Sequence, residues 1–220
     1  QRSITTAQIF TKQWNLLPLI AGAAGMVALV GAVIGFTYFG SPKFTDVGYR
    51  PEQPVQYSHK LHAGDLGIDC RYCHVGVELS SKAIIPPTQT CMNCHILIKP
   101  DSKLLEPVHE SWGNNTAIEW IRVHKVPDYA FFDHSAHVTR GVGCASCHGR
   151  VDQMEEVMLV EPLSMGWCLD CHRNPDAHLR PLDKVTQMDW TAPENQLQLA
   201  EKIKKERHIN PPTDCTGCHR

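Results

Sequence analysis

The sequence has no surplus of basic charge: 21 Lys and Arg stand against 23 Asp and Glu over 220 residues, a formal charge of −2. Phosphate binding needs a basic footprint, so nucleic acid is excluded as a partner. Aromatics are few, at 7%, and only 42% of residues are hydrophobic, a good share of them in one N-terminal run. What remains is thin material for a core. No Gly-rich phosphate loop, Ser/His/Asp set or paired-carboxylate arrangement stands out, so no catalytic site of its own is expected. Against these shortages stand 10 Cys and 13 His. A chain with so little core and so much cysteine must be stapled by disulfides, metals or covalent cofactors.

All ten cysteines fall into five Cys-x-x-Cys pairs, and a His follows each pair. Site one is Cys70, Cys73 and His74; site two is Cys91, Cys94 and His95; site three is Cys144, Cys147 and His148. Site four is Cys168, Cys171 and His172, and site five is Cys215, Cys218 and His219. A disulfide scaffold needs no His at a fixed offset. A thioredoxin-like redox pair would not recur five times. Five pairs do not divide into four-cysteine zinc sites. Attachment of c-type haem explains every feature: two thiols add to the two porphyrin vinyl groups, and the next residue lies under the ring as the proximal iron ligand. Five haem c groups, each with its iron, are the expected cofactors. They also account for the thin core, because the porphyrins themselves take its place.

Leu16 to Phe39 carries no charge. At about 1.5 Å per residue such a helix reaches about 36 Å, enough to cross about 30 Å of hydrocarbon. Pro18 falls in the first turn, where its missing donor costs little. Trp14 and Tyr38 suit the two interfaces. A cleaved signal peptide has an apolar region of about 7–15 residues ending in small residues. This run is longer and ends Phe36-Thr37-Tyr38-Phe39, so a retained single-pass anchor is expected. Gly22, Gly25, Ala28, Gly31 and Gly35 would let a helix of a partner subunit approach closely. Because c-type haem is attached on the outer side of the bacterial plasma membrane, residues beyond the run are expected on the periplasmic side.

The sites are duplicated. Tyr57-Ser58-His59-Lys60-Leu61-His62 precedes site one and Phe132-Asp133-His134-Ser135-Ala136-His137 precedes site three, 75 residues on, while Cys70 and Cys144 lie 74 apart. Site two follows site one by 21 residues and site four follows site three by 24. This reads as a two-haem module, repeated, with a fifth haem appended. Residues three apart on a helical turn share a face yet splay enough to serve two irons. His59, His62, His134 and His137 are therefore the first four distal-ligand candidates. The first His of each pair is expected to cap the haem of its module's first site, and the second to reach a neighbouring haem. For the fifth distal position His124 and Met165 rank level, with His208 behind them. A Met ligand would raise that haem's potential. His109 and His178 read as ordinary surface histidines.

The expected fold class is mostly α and irregular: one N-terminal transmembrane helix and a pentahaem domain with little regular secondary structure. The divisions are an N-terminal cytoplasmic tail at 1–15, the membrane helix at 16–39, a tether at 40–56 and the haem domain at 57–220. That domain divides into modules at 57–131 and 132–190 and the fifth haem at 191–220. Residues 191–207 read as one exposed helix with basic residues in its last turn.

The His-x-x-His turns resemble those of small multihaem cytochromes of the c3 and c7 type. The whole layout, with the stretches LHAGDLGIDCRYCHVGVE, FFDHSAHVTRGVGCASCHGRVDQM and SMGWCLDCHRNP, resembles the pentahaem cytochrome c subunit of bacterial alternative complex III. That resemblance implies an electron-transfer subunit within a membrane complex that oxidises quinol and passes electrons to a periplasmic carrier or oxidase. The partners it implies are an iron–sulfur protein, polytopic quinol-binding subunits, a further cytochrome c and the lipid bilayer. The alternatives are a stand-alone membrane-anchored multihaem quinol dehydrogenase and a multihaem reductase of a small molecule such as nitrite. The first needs a quinol pocket at a haem near the membrane, often with an open distal position, and the second needs an open iron; this chain has histidines enough to close all five.

Overall fold

The computed structural model describes residues 9–219, and the chain divides into two compact units at Thr45/Asp46. Of the expected N-terminal tail, residues 1–8 lie outside the described residues. In the first unit a 3-10 turn, Lys12–Leu16, leads into helix α1, Leu17–Phe39, with Pro18 in its first turn. Its side chains are apolar and exposed along its length, and the helix is long and apolar enough to cross a membrane. Phe10 and Trp14 pair at one end, with ring centres 5.3 Å apart. At the other, Tyr38, Phe39 and Phe44 cluster, Phe44 coming from the short helix α2, Pro42–Thr45. Aromatic rings at both ends suit the two interfaces of a bilayer.

The second unit is helical and irregular, with no β-strand among the described residues beyond isolated bridges at Ala130–His219 and Val142–Leu179. A π-helical turn, Lys60–Asp65, precedes α3, Cys70–Cys73; α4 is Thr88–His95 and α5 Glu106–Asn114. The second half holds α6, His134–Val138; α7, Ala145–His148; α8, Met165–Arg173; α9, Gln196–Arg207; and α10, Cys215–Cys218. Helices this short do not hold by propensity alone, so local caps matter. Asp69 accepts from the Arg71 N–H, Asp133 from Ala136, Ser164 from Trp167 and Asp214 from Gly217.

Apolar burial is sparse. Val55, Met92 and Val108 form one cluster with α4 and α5; Leu179, Ala200 and Ile203 form another under α9. Helix α9 therefore differs from the exposed helix expected at 191–207. It starts later, and Ala200 and Ile203, three apart, are buried on one face. Lys204 pairs with Asp176 at 2.5 Å beside that contact. In the stretch expected as a tether, Gly48 donates to the Leu159 carbonyl and Leu159 to that of Tyr49, at 2.7 and 2.9 Å.

The two halves interlock. The turn Lys60–Asp65 packs on the 3-10 turn Val151–Gln153 just beyond site three. Gly64 is required there, because a Cβ would strike the Asp152 carbonyl. Reciprocally, His134 and Ser135 donate their N–H groups to the Ser81 and Ser80 carbonyls, just beyond site one.

Candidate haem-binding sites

Each Cys-x-x-Cys pair occupies a helical turn, which brings two cysteines three residues apart onto one face. The following histidine continues the turn: His74, His148 and His219 donate backbone N–H to Cys70, Cys144 and Cys215 at 2.8–3.0 Å. None of the ten cysteines is in a disulfide.

The histidines come together in facing pairs. His59 stands opposite His74 with ring centres 6.5 Å apart and planes within 3°. His62 stands opposite His95 at 6.2 Å, His134 opposite His148 at 6.4 Å and His137 opposite His172 at 6.1 Å. These separations are too wide for ring contact and narrowly grouped. With metal–nitrogen bonds of about 2 Å and each ring centre about 1 Å behind its nitrogen, two imidazoles flanking one metal ion stand about 6 Å apart. The four pairs fit that spacing.

The remaining ring nitrogens fit as well. Nδ1 bonds a main-chain carbonyl in His62 (Ser58), His74 (Ile84), His95 (Ile98), His134 (Ser81), His137 (Asp133), His172 (Pro212) and His219 (Tyr129), at 2.7–3.1 Å. A carbonyl can only accept, so Nδ1 carries the proton and Nε2 keeps its lone pair for a metal. Burial pulls His59 down to about 4 and His148 to about 3, reinforced by neighbouring imidazoles, and lowers His137. Neutral imidazole is the form that ligates.

The aromatic residue of each turn braces its histidines. Tyr57 stacks on His62 at 4.4 Å and stands edge-on to His59 at 4.8 Å; Phe132 takes the same positions on His137 and His134, at 4.7 and 4.8 Å. Burial raises the Tyr57 phenol well above its ordinary range, and nearby cysteines add to the shift.

His124 lies against His148, edge to face at 4.3 Å, with its Nε2 buried and unpartnered. Its pKa falls to about 4, first through burial and then through His134. Met165 and His208 are exposed. The ring of Tyr129 lies against His219, with centres 5.8 Å apart. His109, expected at the surface, is partly buried on α5 with Nε2 unpartnered, while His178 is half-buried in the 3-10 turn Pro175–His178.

Two arginines beside site three escaped the sequence reading. Arg180 is 5% exposed, stacks over Trp190 at 4.6 Å, donates Nη1 to the Gln187 carbonyl and leaves Nε unpartnered. Its guanidinium lies against the backbone of Gly143, where a Cβ would clash. Arg207 reaches Gly141 with a buried, unpartnered Nη1. Buried cationic donors without partners are what the carboxylates of a porphyrin would satisfy. No spacing in the sequence announces them. The glycines at 141 and 143, which leave room for the two guanidinium groups, were the available signal.

Residues 130–220, which hold sites three to five, match the family of cytochrome c7 and related cytochrome c. That family carries haem c. Over 121 residues the chain is 35% identical to the multihaem cytochrome c subunit of menaquinone reductase from Nitratidesulfovibrio vulgaris, which covers 54% of this chain and 56% of the relative. It is 28% identical over 120 residues to the cytochrome c-type protein NrfB of Escherichia coli, covering 47% of this chain and 63% of that one. The chain thus spans little more than half the length of the curated relatives it matches. The similarity is to c-type cytochromes, one of which is named as a multihaem subunit of menaquinone reductase.

Proposed function

We propose that this chain is an electron-transfer subunit with five covalently attached haems, relaying electrons within a membrane quinol:acceptor oxidoreductase of the alternative complex III kind. The observation that carries the reading is the set of four imidazole pairs at 6.1–6.5 Å, each joining a His-x-x-His turn to an attachment site. In this reading ten cysteines hold five porphyrins by thioether bonds, and His74, His95, His148, His172 and His219 are proximal ligands. His59, His62, His134 and His137 are distal ligands to sites one, two, three and four. When bound, haem supplies one-electron chemistry. The protein's part is to hold, orient and tune. Backbone carbonyls fix the imidazole tautomers, aromatic rings lock their rotation, and Arg180 and Arg207 neutralise carboxylates next to site three.

In this reading α1 anchors the chain in the bacterial plasma membrane, with the haem unit on the periplasmic side. The relative in menaquinone reductase supports a quinone-linked assembly. The partners proposed are an iron–sulfur protein, polytopic quinol-binding subunits and a further cytochrome c, which the chain serves without a catalytic site of its own.

Purification of the full chain from its native membrane tests the proposal. The native chain should co-purify with iron–sulfur and polytopic subunits, and after denaturation the polypeptide should still carry the mass of five tetrapyrroles. A polypeptide free of tetrapyrrole, or one that oxidises quinol by itself, would overturn it.

A further inference from the structure

The duplicated modules touch in a patterned way. Lys60 donates its N–H to the Met154 carbonyl at 2.9 Å, and Ser135 donates to the Ser80 carbonyl at 3.2 Å. By the duplication, Lys60 corresponds to Ser135 (75 residues on) and Ser80 to Met154 (74 residues on). Residue i of the first module thus meets j of the second, and the counterpart of i meets the counterpart of j. That reciprocity is the mark of an isologous, two-fold contact. A two-fold axis also brings some residue against its own counterpart. Cys70 and Cys144, the first cysteines of sites one and three, are such a pair, and their side chains lie next to one another.

The same junction is clasped from outside. Thr186 donates Oγ1 to Asp69 Oδ2 at 3.0 Å, while the neighbouring Val185 carbonyl accepts the Cys144 N–H at 3.0 Å. Two adjacent residues therefore hold the turns of sites one and three together. Site four is tied to site five instead: His172 Nδ1 bonds the Pro212 carbonyl at 2.7 Å, three residues ahead of Cys215. Within each module one His-x-x-His turn joins the two sites, His59 and His62 facing sites one and two, His134 and His137 facing sites three and four.

We propose that the two modules are related by an internal two-fold axis between Cys70 and Cys144, so that the haem sites follow one another in space as two, one, three, four, five. Thr186 and Asp69 are positioning residues for the central junction. The first site in the sequence is then interior to the array, and its ends, where a redox partner meets it, are sites two and five. The inference rests on the five-haem reading and adds the order.

Anomalous scattering at the iron edge, from crystals of the full haem-loaded chain, tests it without any variant. The expected map has five irons, with that of site one nearest to those of sites two and three, and that of site five beyond site four. Five irons with site one at an end, or with sites two and three as neighbours, would overturn the order while leaving the five-haem reading intact. Fewer than five irons would overturn that reading itself. In solution, Thr186→Val should diminish the Soret exciton circular dichroism of the junction pair while leaving haem content and the axial-ligand spectrum unchanged. An unchanged couplet would remove Thr186 from the positioning role.

Discussion

The two His-x-x-His turns arrive at one arrangement by different backbone routes. The first runs into a π-helical turn at Lys60–Asp65, while the second is an α-helix at His134–Val138. His59 leaves Nδ1 buried and unpartnered, while His134 gives its Nδ1 proton to the Ser81 carbonyl. Yet the imidazoles end 6.5 and 6.4 Å from their partners, with planes 3° and 9° apart. The second histidines keep their spacing too, at 6.2 and 6.1 Å, although their planes differ, at 62° and 35°. Separation is held while the angle between the two ring planes differs from pair to pair, which an iron–nitrogen bond permits. Two copies of a module can drift in helix type and capping while the distance between facing rings stays fixed.

The comparison breaks most visibly at the proposed ligands. His59→Ala and His134→Ala should each turn one low-spin haem high-spin, read by electron paramagnetic resonance. An all-low-spin spectrum in either variant would show that its partner imidazole is not completed by that turn. Next come the two small cores. Leu179, 1% exposed, supports α9 in the second half, and Met92, 7% exposed, joins α4 to α5 in the first. Leu179→Ala should lower stability by about 3 kcal/mol, and Met92→Ala by nearer 2 kcal/mol because methionine surroundings adapt, both measured by denaturant unfolding of the haem-loaded chain.

The caps come third. Ser58 Oγ accepts the Leu61 N–H at 3.0 Å, and Asp133 Oδ1 accepts that of Ala136 at 3.3 Å, at corresponding positions. Ser58→Ala and Asp133→Ala should each cost about 1 kcal/mol in the same unfolding measurement, and equal costs would sharpen the equivalence of the turns.

The smallest effect lies where the modules differ, since Asp69 stands before Cys70 but Gly143 before Cys144. Hydrogen bonds from Arg71 hold the Asp69 carboxyl down to about 2, below its ordinary value near 4. With the folded value depressed, the unfolded chain binds the proton first. This stabilisation is full above about pH 4 and is lost as pH falls through about 2. Asp69→Asn should therefore flatten that part of the acid unfolding curve. The change should stay under about 1 kcal/mol, because the side chain is 43% exposed and screened by water.

Much of this was open to a reader of the residues. Chemistry that demands fixed covalent spacing leaves its mark in the chain: two thiols three apart with an imidazole next, or two imidazoles three apart on a turn. The apolar run of α1 is equally legible, since a bilayer sets length and polarity locally. The acceptors of the Nδ1 protons were not legible. They are backbone carbonyls of Ile84, Ser81, Pro212 and Tyr129, and any residue supplies a carbonyl. Nor was the place of His124, whose neighbour His148 lies 24 positions away. Helix α9 looked exposed because its basic residues outnumber the small face of Ala200 and Ile203 that is buried.

The sequence by itself determined the five Cys-x-x-Cys-His spacings, the duplicated His-x-x-His turns and the membrane-length helix, because each is written within a few neighbouring residues. Only the tertiary structure decided that sites one and three meet at Cys70 and Cys144 and that Arg180 is sealed behind Gly143. Those contacts join segments far apart in the chain, and their geometry is set by how the modules pack on one another rather than by any local pattern.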